Sequence, residues 1–212
     1  MIWLDYLESI DISFNIEILQ THDSIIITNK AQNNQMAIIL DGFIKIIKVF
    51  TNREIICTQL LKVNNIIQLH NSKNKLVNYY YKASAITETV ILSIPIKELT
   101  KKKINTQSLI KIFEQLNTHY RISNNRMLEI LCHKNTKKRI LQLLLILSKE
   151  FGQIKKQKII IPLFLPHSIL STITGCHRVN IAKIMNELKN KNLISYNNKQ
   201  LIIYNILKLS QY

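Results

Sequence analysis

Short apolar runs recur about every ten residues through the first hundred positions: 25–27, 36–40, 43–50, 55–61, 79–86 and 90–94. Ile and Tyr dominate these runs, and polar or turn-forming residues separate them, as in short strands of an antiparallel sheet. Asp41-Gly42 stands between two runs and predicts a hairpin, because Gly accepts positive φ without a Cβ clash. Thr51-Asn52-Arg53-Glu54 predicts a second turn. Many short strands with close turns predict a small barrel or jelly roll.

Near residue 100 the period changes. Leu109, Phe113, Leu116, Tyr120, Ser123, Met127 and Ile130 follow one another at alternating steps of four and three, an a/d seam on one long helix. Tyr120 and Ser123 soften the centre of that seam. An ordinary amphipathic helix packed on its own domain is the alternative; a parallel homodimer helix is the preferred expectation. Beyond it the pattern predicts a Leu-faced helix over 137–151 stopped by Gly152, and a short strand over 159–161 closed by Pro162. A helix over 166–173, a tight turn at Thr174-Gly175-Cys176 and a second helix over 177–190 follow. Two strand-like pieces, 193–196 and 200–204, are joined by Asn197-Asn198-Lys199. The expected fold is α+β: a β-roll of jelly-roll type over 1–103, a long dimerisation helix over 104–135, and a winged helix–turn–helix over 136–212.

A helix–turn–helix makes specific demands. The first helix needs a small residue where the second crosses it, which Ser171 supplies, and the turn needs a residue tolerant of positive φ, which Gly175 supplies. Ile181, Ile184, Met185 and Leu188 give the second helix an i, i+3, i+4, i+7 apolar stripe. Its opposite surface carries His177, Arg178, Asn180 and Lys183, with Val179 beside them. This is the end of a recognition helix that would enter a major groove; a plain solvated helix face is the alternative.

Charge sharpens the picture only through its position. The net charge is +16, yet Ile, Asn and Lys together supply 86 of the 212 residues while Gly and Pro occur three times each. An AT-biased genome inflates Lys without any selection for anion binding. Codon bias acts on the whole gene, however, and residues 1–100 carry nine basic and nine acidic side chains. Residues 101–133 are net +4 and residues 134–212 net +12. That asymmetry points to a C-terminal module that meets a polyanion. Nucleic acid is favoured over a membrane surface, because no long basic amphipathic helix is evident.

The three cysteines, Cys57, Cys132 and Cys176, stand far apart and read as small hydrophobes in a reducing compartment rather than as a disulfide framework or metal cluster. His22 and His70 are isolated, so no metal is expected. No apolar run approaches a membrane span. The acidic start Met1-Ile-Trp-Leu-Asp-Tyr-Leu-Glu does not resemble a signal or transit peptide. With neither a phosphate-binding glycine loop nor a nucleophile–base motif, no enzyme is expected.

The segment Gly175-Cys-His-Arg-Val-Asn-Ile-Ala-Lys-Ile-Met-Asn-Glu-Leu-Lys-Asn-Lys-Asn-Leu-Ile-Ser195, followed by Lys199-Gln-Leu-Ile-Ile-Tyr204, resembles the DNA-binding domain of the cyclic AMP receptor protein and fumarate–nitrate regulator family. Arg178-Val179, where cyclic AMP receptor proteins usually have Arg-Glu, looks more like the global nitrogen regulators of cyanobacteria and plastids. Leu131-Cys-His133 and the stretch from Arg139 to Gly152 are similar to the same group. The resemblance spans nearly the whole chain in order, strongly over the last eighty residues and at the level of architecture over the first hundred.

The resemblance implies a homodimeric regulator of nitrogen-related genes on a palindromic double-stranded DNA site with GTA-type half-sites, with RNA polymerase as a further partner. Arg178 would donate two hydrogen bonds to guanine, a contact of roughly 1–3 kcal/mol. Val179 would meet a thymine methyl. Asn180 and Lys183 would reach a base or a phosphate, and His177 a phosphate. Lys137, Lys138, Arg139 and, on the wing, Lys199 would contact the backbone, setting register but not sequence. A non-specific nucleic-acid binder with a vestigial effector domain is the alternative.

Effector chemistry is less legible. Cyclic nucleotide binders of this family carry Gly-Glu and Arg-Ser pairs in a phosphate cassette, and residues 66–81 contain neither pair, which argues against cyclic AMP. The resemblance implies 2-oxoglutarate, a dicarboxylate that needs cationic partners. The family's pocket arginine falls at or near Tyr79, and its partners on the long helix fall near Tyr120 and Asn125, with Arg121 one position off. Arg53 lies in an expected surface turn, and Lys82 is the candidate substitute. No N-terminal cysteine cluster supports an iron–sulfur centre. An AT-biased member of this group suits a plastid-encoded gene, with an AT-rich bacterium as the alternative.

Overall fold

The Ile-rich runs of the first half pair into two antiparallel sheets in the computed structural model, which describes residues 12–27, 35–68, 78–95, 97, 106–163 and 165–212. The chain divides into two compact units, residues 1–125 and 126–212. In the first unit eight strands are described: β1 (Asn15–Leu19), β2 (Ser24–Ile27), β3 (Gln35–Asp41), β4 (Ile44–Phe50), β5 (Ile55–Leu61), β6 (Ile66–Gln68), β7 (Tyr79–Ala85) and β8 (Thr89–Pro95). One sheet runs β1-β8-β3-β6 and the other β2-β7-β4-β5. Ala37, Ile39, Ile67 and Ile91 from the first meet Ile27, Ile44, Ile46, Leu61 and Ala83 from the second in one buried core. The strand pattern therefore matches the expected roll, with β1 and β6 added.

Asp41-Gly42 does not make the expected hairpin. β3 and β4 lie in different sheets, and Gly42, at φ +91°, is the corner where the chain leaves one for the other. A Cβ there would stand 2.4 Å from the Glu88 carbonyl oxygen, so close approach and positive φ together require glycine. The true hairpin is the second one: the Phe50 and Arg53 amides donate to the Glu54 and Phe50 carbonyls at 2.9 Å. The Asn52 side chain accepts from the Glu54 amide at 3.1 Å.

The heptad pattern appears as helix α1 (Thr106–Leu131). The side chains of Leu109, Phe113, Leu116 and Tyr120 lie outside the described residues, as does His70. The remaining seam positions turn inward within a single chain. Ser123 is 1% exposed and donates to the Leu60 carbonyl, while Met127 and Ile130 are 2% and 0% exposed. The expected partner-facing seam is thus corrected at its C-terminal end, where the apolar side serves the chain's own packing. Glu114, Thr118, Arg121, Asn125 and Leu128 are the exposed positions at the same four–three spacing. Nor is the helix a separate segment. The unit boundary falls between Asn125 and Arg126, and Arg126 already pairs with Glu150 of the second unit at 2.6 Å.

The second unit contains α2 (Thr136–Phe151), β9 (Gln153–Lys155), β10 (Lys158–Ile161), α3 (His167–Thr174), α4 (Arg178–Asn190), β11 (Ile194–Tyr196), β12 (Leu201–Ile203) and α5 (Ile206–Ser210). The strands form one antiparallel sheet, β11-β12-β10-β9, so the wing hairpin is half of a larger sheet. Ile140, Leu141, Leu143, Leu144 and Leu147 bury the Leu-rich face of α2. Gly152 does end α2, but with extended backbone at φ −71°. Its glycine is required by space, because a Cβ would lie 2.1 Å from the Ser148 carbonyl oxygen and 2.5 Å from Ile159.

Candidate nucleic-acid interface

The geometry of the helix–turn–helix follows from its turn. α3 ends where Gly175 adopts left-handed backbone, φ +64° and ψ +30°, and its N–H donates to the Ser171 carbonyl. Ser171 Oγ in turn donates to the Cys176 carbonyl at 2.5 Å. The small residue expected where the helices cross therefore also ties the turn to α3. Ile181, Met185 and Leu188 are fully buried on α4, and Ile184 is half-buried.

The other side of α4 is open. His177, Arg178, Val179, Asn180 and Lys183 are all exposed, and Val179, at 65%, is far more exposed than a valine with an internal packing role. His177 is the N-cap residue but makes no side-chain capping bond, and the first turn holds no acidic residue. The positive end of the helix dipole and its free amides are thus turned outward beside a guanidinium, an arrangement that suits an anion.

A second helix N-terminus stands next to it. Lys134, Asn135, Thr136 and Lys137 at the start of α2 line an open groove of about 400 Å³ with Asn180, Lys183 and Ile184 of α4. Asn135 caps α2 by accepting from the Lys137 amide at 2.8 Å. Sequence reasoning misses Lys134, Asn135 and Thr136 as site residues. The available signal is Asn-Thr-Lys-Lys, an N-cap residue opening a helix without acids in its first turn. At the wing, the Asn197 side chain accepts from the Lys199 and Gln200 amides at 2.9 Å each, leaving Lys199 exposed at the tip. The Tyr196 hydroxyl donates to Asn186 Oδ1 at 3.3 Å, linking wing to recognition helix.

The four basic residues expected on the DNA backbone divide. Lys138 and Lys199 are exposed. Lys137 is half-buried: its ammonium lies 3.4 Å from Glu187 Oε1 and 3.6 Å from the centre of the Tyr212 ring. Lys191 approaches the same two groups, at 3.8 Å and 4.3 Å, and the Tyr212 hydroxyl donates to Glu187. That hydrogen bond and the two ammonium charges hold the Glu187 carboxyl below its ordinary range, against a smaller opposing effect of burial. Arg139 is an internal strut: Nε donates to the His133 carbonyl at 2.7 Å and Nη1 to the Thr174 carbonyl at 3.0 Å. Its expected role on the backbone is corrected accordingly, since a guanidinium at the C-terminal end of α3 satisfies carbonyls the helix leaves open.

His167 begins α3 with its Nε2 buried and without a hydrogen-bond partner. Burial, and then the Arg178 charge, lower its pKa. In the first unit, Arg53 sits in the exposed β4–β5 turn at φ +68°. At the expected position of the pocket arginine, Tyr79 packs edge-on against Phe50 and Tyr81, with the Lys48 ammonium 3.6 Å over its ring. Among the described residues no group of three or more potential ligands could hold a metal ion, and no helix is long and apolar enough to cross a membrane.

Comparisons with known proteins agree with this geometry. Residues 138–212 match the Crp-like helix–turn–helix domain. The chain is 30% identical over 210 residues to the helix–turn–helix transcriptional regulator ycf28 of Porphyra purpurea, covering 99% of this chain and 86% of the relative. It is 27% identical to the global nitrogen regulator of Synechococcus elongatus over 82% of this chain and 79% of that protein. A CRP-family transcriptional regulator from Thermus thermophilus superposes with a TM-score of 0.72 at 15% identity, over 92% of this chain and 95% of that one. FixK2 of Bradyrhizobium japonicum does so at 0.71 and 12% identity, over 94% and 96%. The two-sheet roll, the long helix and the winged helix–turn–helix occur here in the order those relatives share, and the chain belongs to the cyclic AMP receptor protein and fumarate–nitrate regulator family of transcription regulators.

Proposed function

We propose that this regulator binds a palindromic double-stranded DNA site as a homodimer and acts in nitrogen-related gene control. The observation that carries the reading is the uncapped, acid-free N-terminal turn of α4, where Arg178, Val179, Asn180 and Lys183 stand exposed together. Arg178 reads a guanine, Val179 meets a thymine methyl, and Asn180 and Lys183 reach bases or phosphates nearby. His177 and the adjoining start of α2, with Lys134, Thr136 and Lys138, take phosphate, as does Lys199 on the wing. Dimerisation uses the exposed four–three stripe of α1, with Arg121, Asn125 and Leu128 toward the partner. A polar Asn125 in such a seam fixes register at some cost in stability.

Gel shift on a GTA-type palindrome at fixed salt tests this. Arg178→Ala removes a bidentate guanine contact of about 1–3 kcal/mol from each half-site of the palindrome, and should weaken binding of the dimer by roughly thirtyfold or more. Equal binding by the variant sinks the recognition-helix assignment. Equal binding of wild type to scrambled DNA establishes the non-specific alternative instead. Titrating 2-oxoglutarate in the same assay tests the effector expected from the nitrogen regulators. We place the protein in a plastid, a reading supported by the AT-biased composition and by kinship to an algal regulator and cyanobacterial ones.

A further inference from the structure

The β2-β7-β4-β5 sheet has a second face, turned away from the core. Ile44, Ile46 and Ala83 point into the core, so the alternate positions on β4 and β7 point outward. Lys45 stands directly opposite Ser84 in the β4–β7 pairing, and Lys82 is two residues from Ser84 along β7. Directly opposed side chains such as Lys45 and Ser84 share a face about 4.5–5.5 Å apart, and a diagonal pair such as Lys45 and Lys82 about 7–8 Å apart, within reach of two long side chains. Lys45, Ser84 and Lys82 therefore meet on one patch small enough for a single anion.

Among the described residues their charges are uncompensated. Both lysines are half-buried, and among the described residues neither has a carboxylate within ion-pairing distance. Ser84 is 8% exposed, and its hydroxyl makes no hydrogen bond among the described residues. Ile47 and Cys57 in register with Lys82, and Leu60 in register with Lys45, are buried on the same face, so water is partly excluded from one side of the patch. Burial lowers the Lys45 pKa, and Lys82 lowers it further, against an opposing contribution from Cys57. The contrast is Lys48, one position out of phase on the inner face, whose ammonium rests on the Tyr79 ring.

We propose that Lys45, Lys82 and Ser84 form a binding site for a small oxyanion, either a carboxylate or a phosphate. Two ammonium groups and one hydroxyl on one face of two paired strands supply the donors, and an oxyanion between them would replace like-charge repulsion with charge-assisted hydrogen bonds. The inference does not depend on the DNA-binding reading, because it concerns the first unit alone.

The test is calorimetric titration of the full chain with inorganic phosphate and, separately, with succinate, ionic strength being held constant with chloride. One site per chain is expected, and the stronger probe identifies the oxyanion class. Lys45→Gln and Lys82→Gln should each weaken binding by about tenfold, and Ser84→Ala by less. Lys48→Gln should leave it unchanged. Absence of heat with both probes, or unaltered titration of Lys45→Gln and Lys82→Gln, overturns the proposal. So does a loss in Lys48→Gln equal to that in Lys45→Gln, which would put the anion on the inner face. Thermal melting in chloride guards against misfolding: Lys45→Gln removes a repulsion and should melt no lower than wild type. A markedly lower midpoint would show that Lys45 is already compensated, and would also overturn the proposal.

Discussion

Replacing Arg139 by Ala separates a structural role from a DNA-contacting one. Its guanidinium bridges the His133 carbonyl, ahead of α2, and the Thr174 carbonyl at the end of α3, at 2.7 Å and 3.0 Å. A hydrogen bond to a charged group contributes about 1.5–3 kcal/mol when buried. Arg139 is only half-buried, so water recovers part of the loss, and about 2–3 kcal/mol is the expected destabilisation. In urea unfolding this lowers the midpoint of the second unit by roughly 1–2 M at an ordinary m-value. The Arg139→Lys variant keeps the charge but lacks the planar fork that reaches two carbonyls, so it should lose most of the same stability. A phosphate contact behaves differently. Its loss makes the dependence of log K on log salt shallower by about 0.9 per contact and leaves folding alone, and Lys would largely rescue it. If Arg139→Ala unfolds at the wild-type midpoint while its salt slope becomes shallower, the strut assignment is wrong.

Two glycines should fail for different reasons. Gly175→Ala meets only Arg139 Nη1, at 3.6 Å, so its cost is the left-handed backbone alone, about 1–2 kcal/mol. Gly152→Ala has ordinary φ but collides with Ser148 and Ile159, so a matched pair of thermal melts should show it to be the worse of the two. For His167, whose pKa is held below its ordinary value of 6.5 by burial and then by Arg178, the unfolded chain binds the additional proton. The stability it contributes is complete above about pH 6.5 and declines as pH falls toward the lowered folded value. Urea midpoints across that window should drop more steeply for wild type than for His167→Gln; parallel curves would refute the coupling.

The second unit is more legible in sequence than the first because its constraints are local. Gly175, Ser171 and the stripe from Ile181 to Leu188 lie within one motif, so spacing alone places them on correct faces. Arg139 escapes such reasoning because its partners are carbonyls six and thirty-five residues away, at His133 and Thr174, and a carbonyl carries no side-chain signature. Asp41-Gly42 misleads for a related reason. Local turn chemistry cannot tell a hairpin from a corner between sheets, and only the approach of Glu88 and Thr89 decides it. The heptad seam does mark a helix, but at its end it faces the wrong side. Apolar a/d spacing is the same whether it serves a partner chain or the chain's own roll, as the bond from Ser123 to Leu60 illustrates.

Several of the lysines behind the net +12 of the last 79 residues have partners within the chain. Lys137 and Lys191 converge on Glu187 and Tyr212, Lys158 lies over Tyr204, and Lys189 lies over Tyr196. Four of the twelve lysines in this stretch are thus engaged within the winged helix, on its aromatic rings or on Glu187. Arginine gives a cleaner signal, because only five are present. Arg126 pairs with Glu150 and Arg139 braces two carbonyls; in the same unit, Arg178 makes no hydrogen bond or ion pair among the described residues and stands at an uncapped helix start. An exposed arginine with no hydrogen bond or ion pair among the described residues, set where the helix dipole already favours an anion, suits contact with an anionic ligand.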